Sequence, residues 1–306
     1  MSFIAEAKPV LKWAGGKSQL LPEILSRLPA EIQSGKIEKF CEPFIGGGAV
    51  FFALMNRFTF RETFISDVNP ALVMVYRTIQ EYSKELIALL QQIEADYLAL
   101  DEEQRKEFFY QVRTAYNEQD VNFEYDTGGS HWVDRSAKLL FLNRTCFNGL
   151  FRQNSKGEFN VPFGKYKDPK ICHTETILSA AKALQNSIIL QGDFEACASF
   201  VDNKTFVYFD PPYRPISKTA SFNAYSKLAF GDLEQLRLAQ FFFALGQKGA
   251  KLMLSNSDPQ NNDPSDTFFE DAFNGFNIEK IQARRNINSK AQKRGNITEL
   301  LIRNYE

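Results

Sequence analysis

Five residues suited to a strand, Thr205 to Phe209, run directly into Asp210, two prolines and Tyr213. An apolar run of this length bounded by a turn signal predicts a buried strand. Proline lacks an amide hydrogen and has a fixed φ, so Pro211 and Pro212 end the strand pairing and fix the backbone. An acidic side chain, rigid carbonyls and an aromatic ring therefore leave the strand together. A strand that simply ends in a proline turn has the same pattern. At this point the segment is therefore either a chemical site or a plain structural turn.

The first glycine-containing turn lies near the start of the chain, in Leu11–Lys17, and a helical pattern follows it. Adjacent glycines let the backbone approach a ligand, and free amides at a helix start attract an anion. Lys17 is suited to pair with that anion, and Trp13 is suited to cover an apolar or aromatic part of the ligand. A plain glycine turn before a helix is the alternative.

A second turn, Gly46-Gly47-Gly48, follows a strand predicted over Lys39–Ile45, which contains Phe44, and precedes an apolar helix. Strand, glycine turn and helix in this order are typical of a nucleotide cradle. The spacing differs from the dinucleotide motif, because Val50 and Phe51 stand where a third glycine is needed. The pattern favours a ligand without a pyrophosphate and disfavours a nicotinamide-dependent oxidoreductase.

Two further strands are predicted to end in acidic residues. Asp67 follows the strand Thr63–Ser66, about 20 residues after the glycine turn, which suits a hydrogen bond to a ribose diol. Its alternative role is a helix cap, although Asn69-Pro70 is an equally good helix start, and the two residues are able to fill the two roles. The strand at 187–191 ends at Gly192-Asp193-Phe194, placed to contact a cofactor adenine by polar edge and ring face. A Gly-Asp turn is the alternative.

Charge is segregated along the chain although the net charge is only −1. From Gln80 to about Asn122 the pattern is helical and acidic, as expected of a solvated face. Between Arg135 and Lys170 there are eight basic residues against two acidic ones. There the segment 143–164 mixes basic, amide and aromatic side chains with glycines, which suits phosphate contact and base-edge reading. A glycine-rich hairpin without a ligand would show the same interruption of the segment by glycines, but it would not show this excess of basic residues.

The few cysteines and histidines of the chain limit the kinds of functional site that it could contain. The four cysteines are widely separated, which indicates free thiols in a reducing compartment. Only two histidines are present, which argues against a histidine-built metal site or a hydrolytic triad. We expect no metal. Because the sequence shows neither a leader pattern nor an apolar run of membrane-spanning length, a cytoplasmic, soluble protein without membrane contact is predicted.

Strands alternate with helices except between about 80 and 186, which predicts an α/β fold with a mainly parallel sheet and one inserted helical domain. Residues 1–79 and 187–306 form the predicted catalytic domain, and 80–186 the insert. The last two strands, 276–281 and 299–303, are expected to form a closing hairpin. Its basic connector, 282–297, either lies near a bound polyanion or is a disordered surface loop.

Taken together, the ordered motifs resemble Dam-type DNA adenine methyltransferases, in which the cofactor motif comes first, the target-recognition domain second and the Asp-Pro-Pro-Tyr motif third. The resemblance extends from Lys12–Lys17 through Glu42–Gly48 and 143–164 to Asp210–Tyr213. It implies a Rossmann-like, S-adenosylmethionine-dependent methyltransferase fold with an inserted, mainly helical target-recognition domain.

By this resemblance the cofactor is S-adenosylmethionine, the partner is double-stranded DNA, and the target adenine is flipped out of the duplex, commonly within 5'-GATC-3'. Phe147 and Asn148 match positions that enter or brace DNA, and Arg152 and Pro162 match positions that read flanking base pairs. The complete candidate sets are catalytic Asp210, Pro211, Pro212 and Tyr213; cofactor-binding Trp13, Lys17, Phe44, Gly46, Asp67, Asp193, Phe194 and Asp210; and DNA-binding Phe147, Asn148, Arg152, Asn154 and Pro162.

Other functions stay open at this point. The same acceptor geometry allows cytosine-N4 methylation, although serine usually replaces the aspartate there. A catalytically silent DNA-binding protein is the alternative from a different class, and the intact Trp13, Lys17, Asp67 and Asp210 argue against it. A partner restriction endonuclease acting on the same site is a further expectation. The sequence does not distinguish such a role from stand-alone methylation, and it does not give the full target sequence or the oligomeric state.

Overall fold

The computed structural model describes residues 6–119, 123–125, 128–214, 230–284 and 296–306. Most of the basic connector, 285–295, lies outside these residues. Within them the strands are β1 (Lys39–Glu42), β2 (Glu62–Asp67), β3 (Ser187–Gln191), β4 (Thr205–Phe209), β5 (Lys251–Ser257), β6 (Asn277–Arg284) and β7 (Asn296–Arg303). The α-helices are α1 (Leu21–Leu25), α2 (Ala30–Gln33), α3 (Ala49–Met55), α4 (Pro70–Glu81), α5 (Ser83–Leu98), α6 (Glu102–Gln119), α7 (Ser130–Thr145), α8 (Thr174–Leu184), α9 (Asp232–Gln247) and α10 (Phe268–Ala272).

The strands form one mixed, seven-stranded sheet in the order β3-β2-β1-β4-β5-β7-β6. β1 pairs in parallel with β2 and with β4, and β4 pairs in parallel with β5. β7 runs antiparallel to both β5 and β6. The predicted α/β class is confirmed, and so is the closing hairpin, whose two strands are each longer than the sequence pattern indicated.

The chain divides into two compact units. The first unit contains Met1–Gly16, Gly46–Asn56 and Asn69–Gln191, and the second contains Lys17–Ile45, Arg57–Val68 and Gly192–Glu306. The predicted insert, 80–186, falls wholly within the first unit, which also includes the two earlier segments. The domain division at 79 and 187 stays a prediction.

The core of the second unit lies against β1, β4 and β5. Every residue of β4 is buried, as its unbroken apolar run predicts. Phenylalanines supply much of the packing around α9: Phe242 lies 5.8 Å from Phe209 and 5.5 Å from Phe273 between ring centroids. Burying such large side chains on both sides of the sheet fixes where β4 ends, and so fixes the position of the residue that follows it.

The first unit is mainly helical, and α7 lies at its centre. Leu139, Leu140 and Phe141 of α7 are buried, and the Phe141 ring lies 5.2 Å from that of Tyr97 on α5. Arg135 is also fully buried, where it donates to the Tyr116 carbonyl at 2.7 Å with its guanidinium carbon 4.1 Å from the Tyr116 ring centroid. The hydrogen bond and the ring face together offset part of the cost of burying this charge.

The sequence predicted one helix start at Asn69-Pro70 and another after Lys17. Asn69 caps α4 as predicted, because its side chain accepts hydrogen bonds from the amides of Ala71 and Leu72 at 3.0 and 3.2 Å. The helix pattern that follows Lys17 gives only the five-residue α1, and Pro29 precedes the separate short helix α2.

The turn after β1 needs glycine at its last position. Gly48 has φ +72°, and a β-carbon there would lie 2.9 Å from the Tyr76 hydroxyl oxygen and 3.0 Å from Phe52 Cε2. Tyr76 in turn donates a hydrogen bond to the Gly46 carbonyl at 2.8 Å. The turn therefore combines a left-handed backbone with a close approach of side chains, and both conditions exclude a larger residue.

Gly48→Ala should lower the free energy of unfolding more than Gly35→Ala does, as measured by denaturant titration. Gly35 has a similar φ of +70° but no heavy atom within 4 Å of the added carbon. The control, Gly35→Ala, should lower the free energy of unfolding only through backbone strain, by about 1–2 kcal/mol. Gly48→Ala should lower it by a further amount of about 1–3 kcal/mol, because the added carbon overpacks the site. Equal losses would contradict the packing at Gly48.

Candidate functional site

Three of the candidate residues lie at one edge of the sheet in the second unit. Asp67 is the last residue of β2, Phe44 stands two residues after β1, and Asp210 follows β4 directly. Because β2, β1 and β4 are adjacent and parallel, their carboxyl ends lie at the same edge. Ligands of open α/β sheets bind at this edge.

The carboxylate of Asp210 is held by a lysine and a serine. Lys17 Nζ lies 2.7 Å from Asp210 Oδ1, and the two side chains are 8% and 18% exposed. Ser255, near the end of β5, donates to the same oxygen at 3.3 Å. The fully buried Tyr208 hydroxyl is hydrogen bonded to Ser255 Oγ at 2.8 Å. Both the lysine and the serine contact Oδ1, which fixes the orientation of the carboxylate.

Burial raises the pKa of Asp210, while the Lys17 ammonium and the Ser255 hydrogen bond act in the opposite direction. The net direction is upward, so the lysine reduces a rise in the pKa that burial would otherwise make larger.

The aromatic residue of the motif is fixed by a second carboxylate. The Tyr213 hydroxyl donates a short hydrogen bond to Glu299 of β7, and Lys17 Nζ lies 4.5 Å from the centre of the Tyr213 ring. Burial, followed by repulsion from Asp210 and Glu299, raises the pKa of Tyr213 well above its ordinary value. Tyr213 is therefore a neutral ring, held between a cation and a hydrogen-bond acceptor.

The turn between these two residues is anchored from α9. Pro211 is buried and Pro212 is exposed. Gln235, which is fully buried, donates to the Pro212 carbonyl at 2.9 Å and accepts from Asn256 Nδ2 at 3.1 Å. Side chains thus supply the hydrogen-bond donor for the Pro212 carbonyl, outside the ladder of the sheet.

Sequence reasoning missed Glu299, Ser255 and Gln235. Ser255, Asn256 and Ser257 end β5, and three polar residues at the carboxyl end of a buried strand are a usable signal. Glu299 and Gln235 carry no such signal, because only the tertiary fold brings β7 and α9 to the motif.

Phe44, Phe194 and Asp193 lie together in the second unit. The Phe44 and Phe194 ring centroids are 5.6 Å apart, and Phe194 is 1% exposed. The Arg237 guanidinium carbon lies 4.1 Å from the Phe194 ring centroid, and Arg237 pairs with Asp193 Oδ2 at 2.9 Å. Asp193 Oδ1 also accepts from the Glu195 amide at 3.0 Å. The turn interpretation of Gly192-Asp193 is correct, and the adenine contact stays a prediction.

Trp13 and the glycine turn meet within the first unit. A β-carbon on Gly46 would lie 3.3 Å from Trp13 Cδ1, and one on Gly47 would lie 3.3 Å from Trp13 Cβ. The half-buried indole is therefore packed directly on the glycine turn. The two early glycine motifs of the sequence form one surface around this ring.

The candidate DNA-binding residues lie on an irregular hairpin, also in the first unit, that follows α7. Phe147 is 56% exposed, and its amide donates to the Pro162 carbonyl at 2.8 Å. Asn148 has φ +61° and is exposed, as is Pro162. The structure thus brings Phe147, Asn148 and Pro162 together on one exposed side of the hairpin base.

Arg152 and Asn154 lie further along the hairpin. Arg152 is exposed, and its Nε donates to Asn160 Oδ1 at 2.8 Å. Asn154 is half-buried and closes its own turn, since its side chain accepts from the amides of Lys156 and Glu158 at 2.9 and 3.1 Å. Arg152 is therefore available at the surface, whereas the observed contacts of Asn154 shape the hairpin.

The described residues contain neither a candidate metal site nor a membrane-spanning helix. No group of three or more His, Cys, Asp or Glu side chains there is arranged to hold a metal ion. None of the helices in those ranges is long and apolar enough to cross a membrane.

Comparison with known proteins connects this site to a family. The family model for D12 class N6 adenine-specific DNA methyltransferases matches residues 13–287. Type II methyltransferase M.MjaIII of Methanocaldococcus jannaschii is 48% identical over 98% of this chain and 100% of its own length. Type II methyltransferase M1.LlaDCHI of Lactococcus lactis is 38% identical over 97% and 95%. DNA adenine methylase of Escherichia coli is 32% identical over 95% and 93%.

The mixed sheet, with its acidic Pro-Pro-Tyr turn at the carboxyl edge, is that of an S-adenosylmethionine-dependent methyltransferase. The chain belongs to the family of D12 class N6 adenine-specific DNA methyltransferases. The resemblance seen in the sequence is confirmed, and so is the prediction of an enzyme. Membership in this family implies S-adenosylmethionine as methyl donor and DNA as substrate, and it favours adenine over the cytosine alternative.

Lys17→Met should raise the pKa of Asp210 further, because it removes the cation that opposes the effect of burial. A carboxyl group whose pKa is raised on folding contributes stability at low pH and loses it as pH rises through the raised value. The stability deficit of Lys17→Met relative to the unmodified protein should therefore grow from about pH 4 toward pH 7, as measured by urea unfolding at each pH. Lys17→Arg keeps the charge and is the control. A deficit independent of pH would contradict this role of Lys17.

Proposed function

We propose that this protein transfers the methyl group of S-adenosylmethionine to the exocyclic amine of a flipped-out adenine in double-stranded DNA, within 5'-GATC-3'. The observation that carries the proposal is the Asp210 carboxylate, held by Lys17 at 2.7 Å directly after β4 and followed by Pro-Pro-Tyr. A charged acceptor fixed at the ligand-binding edge of the sheet is what an amine methyltransferase requires.

The chemical role of Asp210 follows from the electronic state of the substrate. The lone pair of adenine's exocyclic nitrogen is delocalised into the ring, which makes the amine a poor nucleophile. Asp210 and the Pro211 carbonyl accept its two hydrogens, favour a tetrahedral nitrogen and localise the lone pair. Lys17 and Ser255 hold Oδ1, so Oδ2 is the oxygen we assign to the amine. Positioning of the two reactants supplies much of the rate acceleration.

The residues present fit S-adenosylmethionine. This cofactor has no pyrophosphate, in agreement with a glycine turn that lacks the third glycine. We assign Asp67 to the ribose diol, Phe44, Asp193 and Phe194 to the adenine region, and Lys17 to the methionine carboxylate and the Asp210 side chain. Trp13 and Gly46 provide an indole face and a backbone free of side chain. When bound, the cofactor supplies an electrophilic methyl group on its sulfonium.

The target base must leave the helix, because an enzyme is unable to reach its amine inside the stack. Tyr213 is the residue we assign to hold it. Its hydroxyl is anchored to Glu299, which orients the ring. Stacking of a base on such a ring is worth about 1–3 kcal/mol.

We assign DNA recognition to the insert, 80–186, and mainly to its hairpin. Phe147 and Asn148 are exposed at the hairpin base, where a wedge or brace of the opened duplex is needed. Arg152 is suited to a guanine edge beside the target adenine. Pro162 contributes an apolar contact on the same side, and Asn154 maintains the turn. The assignment to GATC rests on the Arg152 match, and relatives that are named DNA adenine methylases support adenine as the target base.

The names of two relatives bear on a partner. Both M.MjaIII and M1.LlaDCHI are type II methyltransferases. Such a name favours a role in restriction and modification, with a cognate endonuclease that acts on the same site. The DNA substrate favours a cytoplasmic location.

Asp210→Ala should abolish methyl transfer while largely preserving DNA binding, because the carboxylate acts on the amine rather than on the duplex. Methyl incorporation from labelled cofactor and duplex affinity by fluorescence anisotropy measure the two effects separately. Ser255→Ala, which leaves the carboxylate in place, should reduce the rate only partly. Retained turnover in Asp210→Ala would refute the assignment.

Arg152→Ala should relax discrimination at one base pair flanking the adenine by about 1–3 kcal/mol. Rates on a set of duplexes, each altered at one position of GATC, measure the change. Lys156→Ala, in the turn of the same hairpin, is the control for general loss of charge and should weaken binding to all duplexes alike. An unchanged site preference in Arg152→Ala would refute its reading role.

A further inference from the structure

Trp13 has an aromatic neighbour that the function proposed above does not use. The ring of Phe151 is stacked on the indole, with centroids 4.8 Å apart and planes 17° from parallel. Both side chains are half-buried and lie in the first unit. One partner of the stack belongs to the candidate cofactor motif and the other to the hairpin. A near-parallel aromatic pair is worth about 0.5–1.5 kcal/mol beyond its buried area, enough for each ring to restrict the other.

The cofactor-side partner has little freedom to move. Trp13 packs against the glycine turn, where a β-carbon on Gly46 or Gly47 would approach it to 3.3 Å. A ligand that contacts the indole therefore also acts on Phe151, whose ring is stacked on it.

The candidate cofactor motif and the hairpin are also joined through a buried side-chain amide. Asn143 of α7 is 1% exposed and accepts from the Lys12 amide at 2.9 Å. Its Nδ2 donates to the Lys12 carbonyl at 3.0 Å and to the Gly149 carbonyl at 3.1 Å. One side chain thus binds the residue before Trp13 and a residue close to Phe151. Buried hydrogen bonds of this kind are costly to break, so the two segments are held in one register.

On the hairpin side, Phe151 directly precedes Arg152, the candidate base-reading residue. Phe151 also contacts the buried Phe159 with ring centroids 5.9 Å apart. Arg152 donates to Asn160, and the Asn160 amide donates back to the Arg152 carbonyl at 3.1 Å. A shift of the Phe151 ring is therefore transmitted across one peptide bond to the arginine and its partner strand.

We propose that Phe151 is a positioning residue that couples the cofactor side of the protein to base reading: cofactor contact at Trp13 favours the Arg152 arrangement that recognises DNA, and specific DNA strengthens cofactor binding. This inference rests on the proposed function, because it takes Trp13 as a cofactor contact and Arg152 as a DNA contact. Coupling between two ligands is reciprocal, so it is measurable from either one.

The test measures the affinity of the full chain for S-adenosylhomocysteine, the demethylated product, by titration calorimetry with and without a saturating GATC duplex. The coupling factor is the dissociation constant measured without DNA divided by the dissociation constant measured with DNA. In the unmodified protein this factor should exceed one. Phe151→Leu keeps an apolar side chain but removes the stack, and it should reduce the coupling factor about two- to tenfold, the range of one aromatic pair. Phe151→Tyr keeps the ring and should restore the factor.

Phe108→Leu is the matched control. Phe108 is also a half-buried phenylalanine of the first unit, with aromatic neighbours Tyr97 and Phe141. Its coupling factor should equal that of the unmodified protein. The ratio cancels any loss that is common to both titrations, such as a fraction of misfolded protein. Should Phe151→Leu fail to fold, which circular dichroism would show, Phe151→Met makes the same test with a longer apolar chain.

A coupling factor of one in the unmodified protein, or a factor unchanged in Phe151→Leu, would overturn the coupling role. An unmodified protein that binds neither S-adenosylhomocysteine nor the duplex would instead overturn the proposed function, so the two failures are distinguishable.

Discussion

The ion pair between Lys17 and Asp210 is the interaction on which the site in the second unit depends. It holds the Asp210 carboxylate at the carboxyl end of β4 and opposes the rise in its pKa that burial causes. The same ammonium lies on the face of Tyr213, whose hydroxyl is fixed by Glu299. A single lysine from the first glycine motif therefore orients both functional side chains of Asp-Pro-Pro-Tyr. Both of these contacts lie within the second unit, although Lys17 and the proline turn are far apart in the sequence.

The hairpin that follows α7 in the first unit, which carries the candidate DNA-binding residues, is held together differently. Its shape comes from short-range contacts, such as the closing bonds of Asn154 and the left-handed backbone of Asn148, while Phe147 and Arg152 stay exposed. The Trp13–Phe151 stack and the Asn143 amide are the exceptions, since they join the hairpin to the cofactor motif within the unit.

The sequence was sufficient for the parts of the fold that depend on local pattern. The unbroken apolar run of β4, the Asn69-Pro70 helix start and the closing strands all predicted the observed elements, because each depends on a few neighbouring residues. It was insufficient where a partner is distant in the chain. Glu299 reaches Tyr213, Gln235 reaches Pro212, and Phe151 reaches Trp13 only after folding. At Asp193-Phe194 the sequence pattern does not distinguish two roles. It suits an adenine contact, but in the structure Asp193 caps a short helix and pairs with Arg237.

The central claim is that the Asp210 site methylates the exocyclic amine of adenine. The most direct measurement is to incubate the protein with labelled S-adenosylmethionine and plasmid DNA, digest the product to nucleosides, and identify the labelled species by mass spectrometry. We expect N6-methyl-2'-deoxyadenosine as the labelled deoxynucleoside, and sequencing of the undigested plasmid should place it within GATC. Label in N4-methyl-2'-deoxycytidine, or no label in DNA, would contradict this claim.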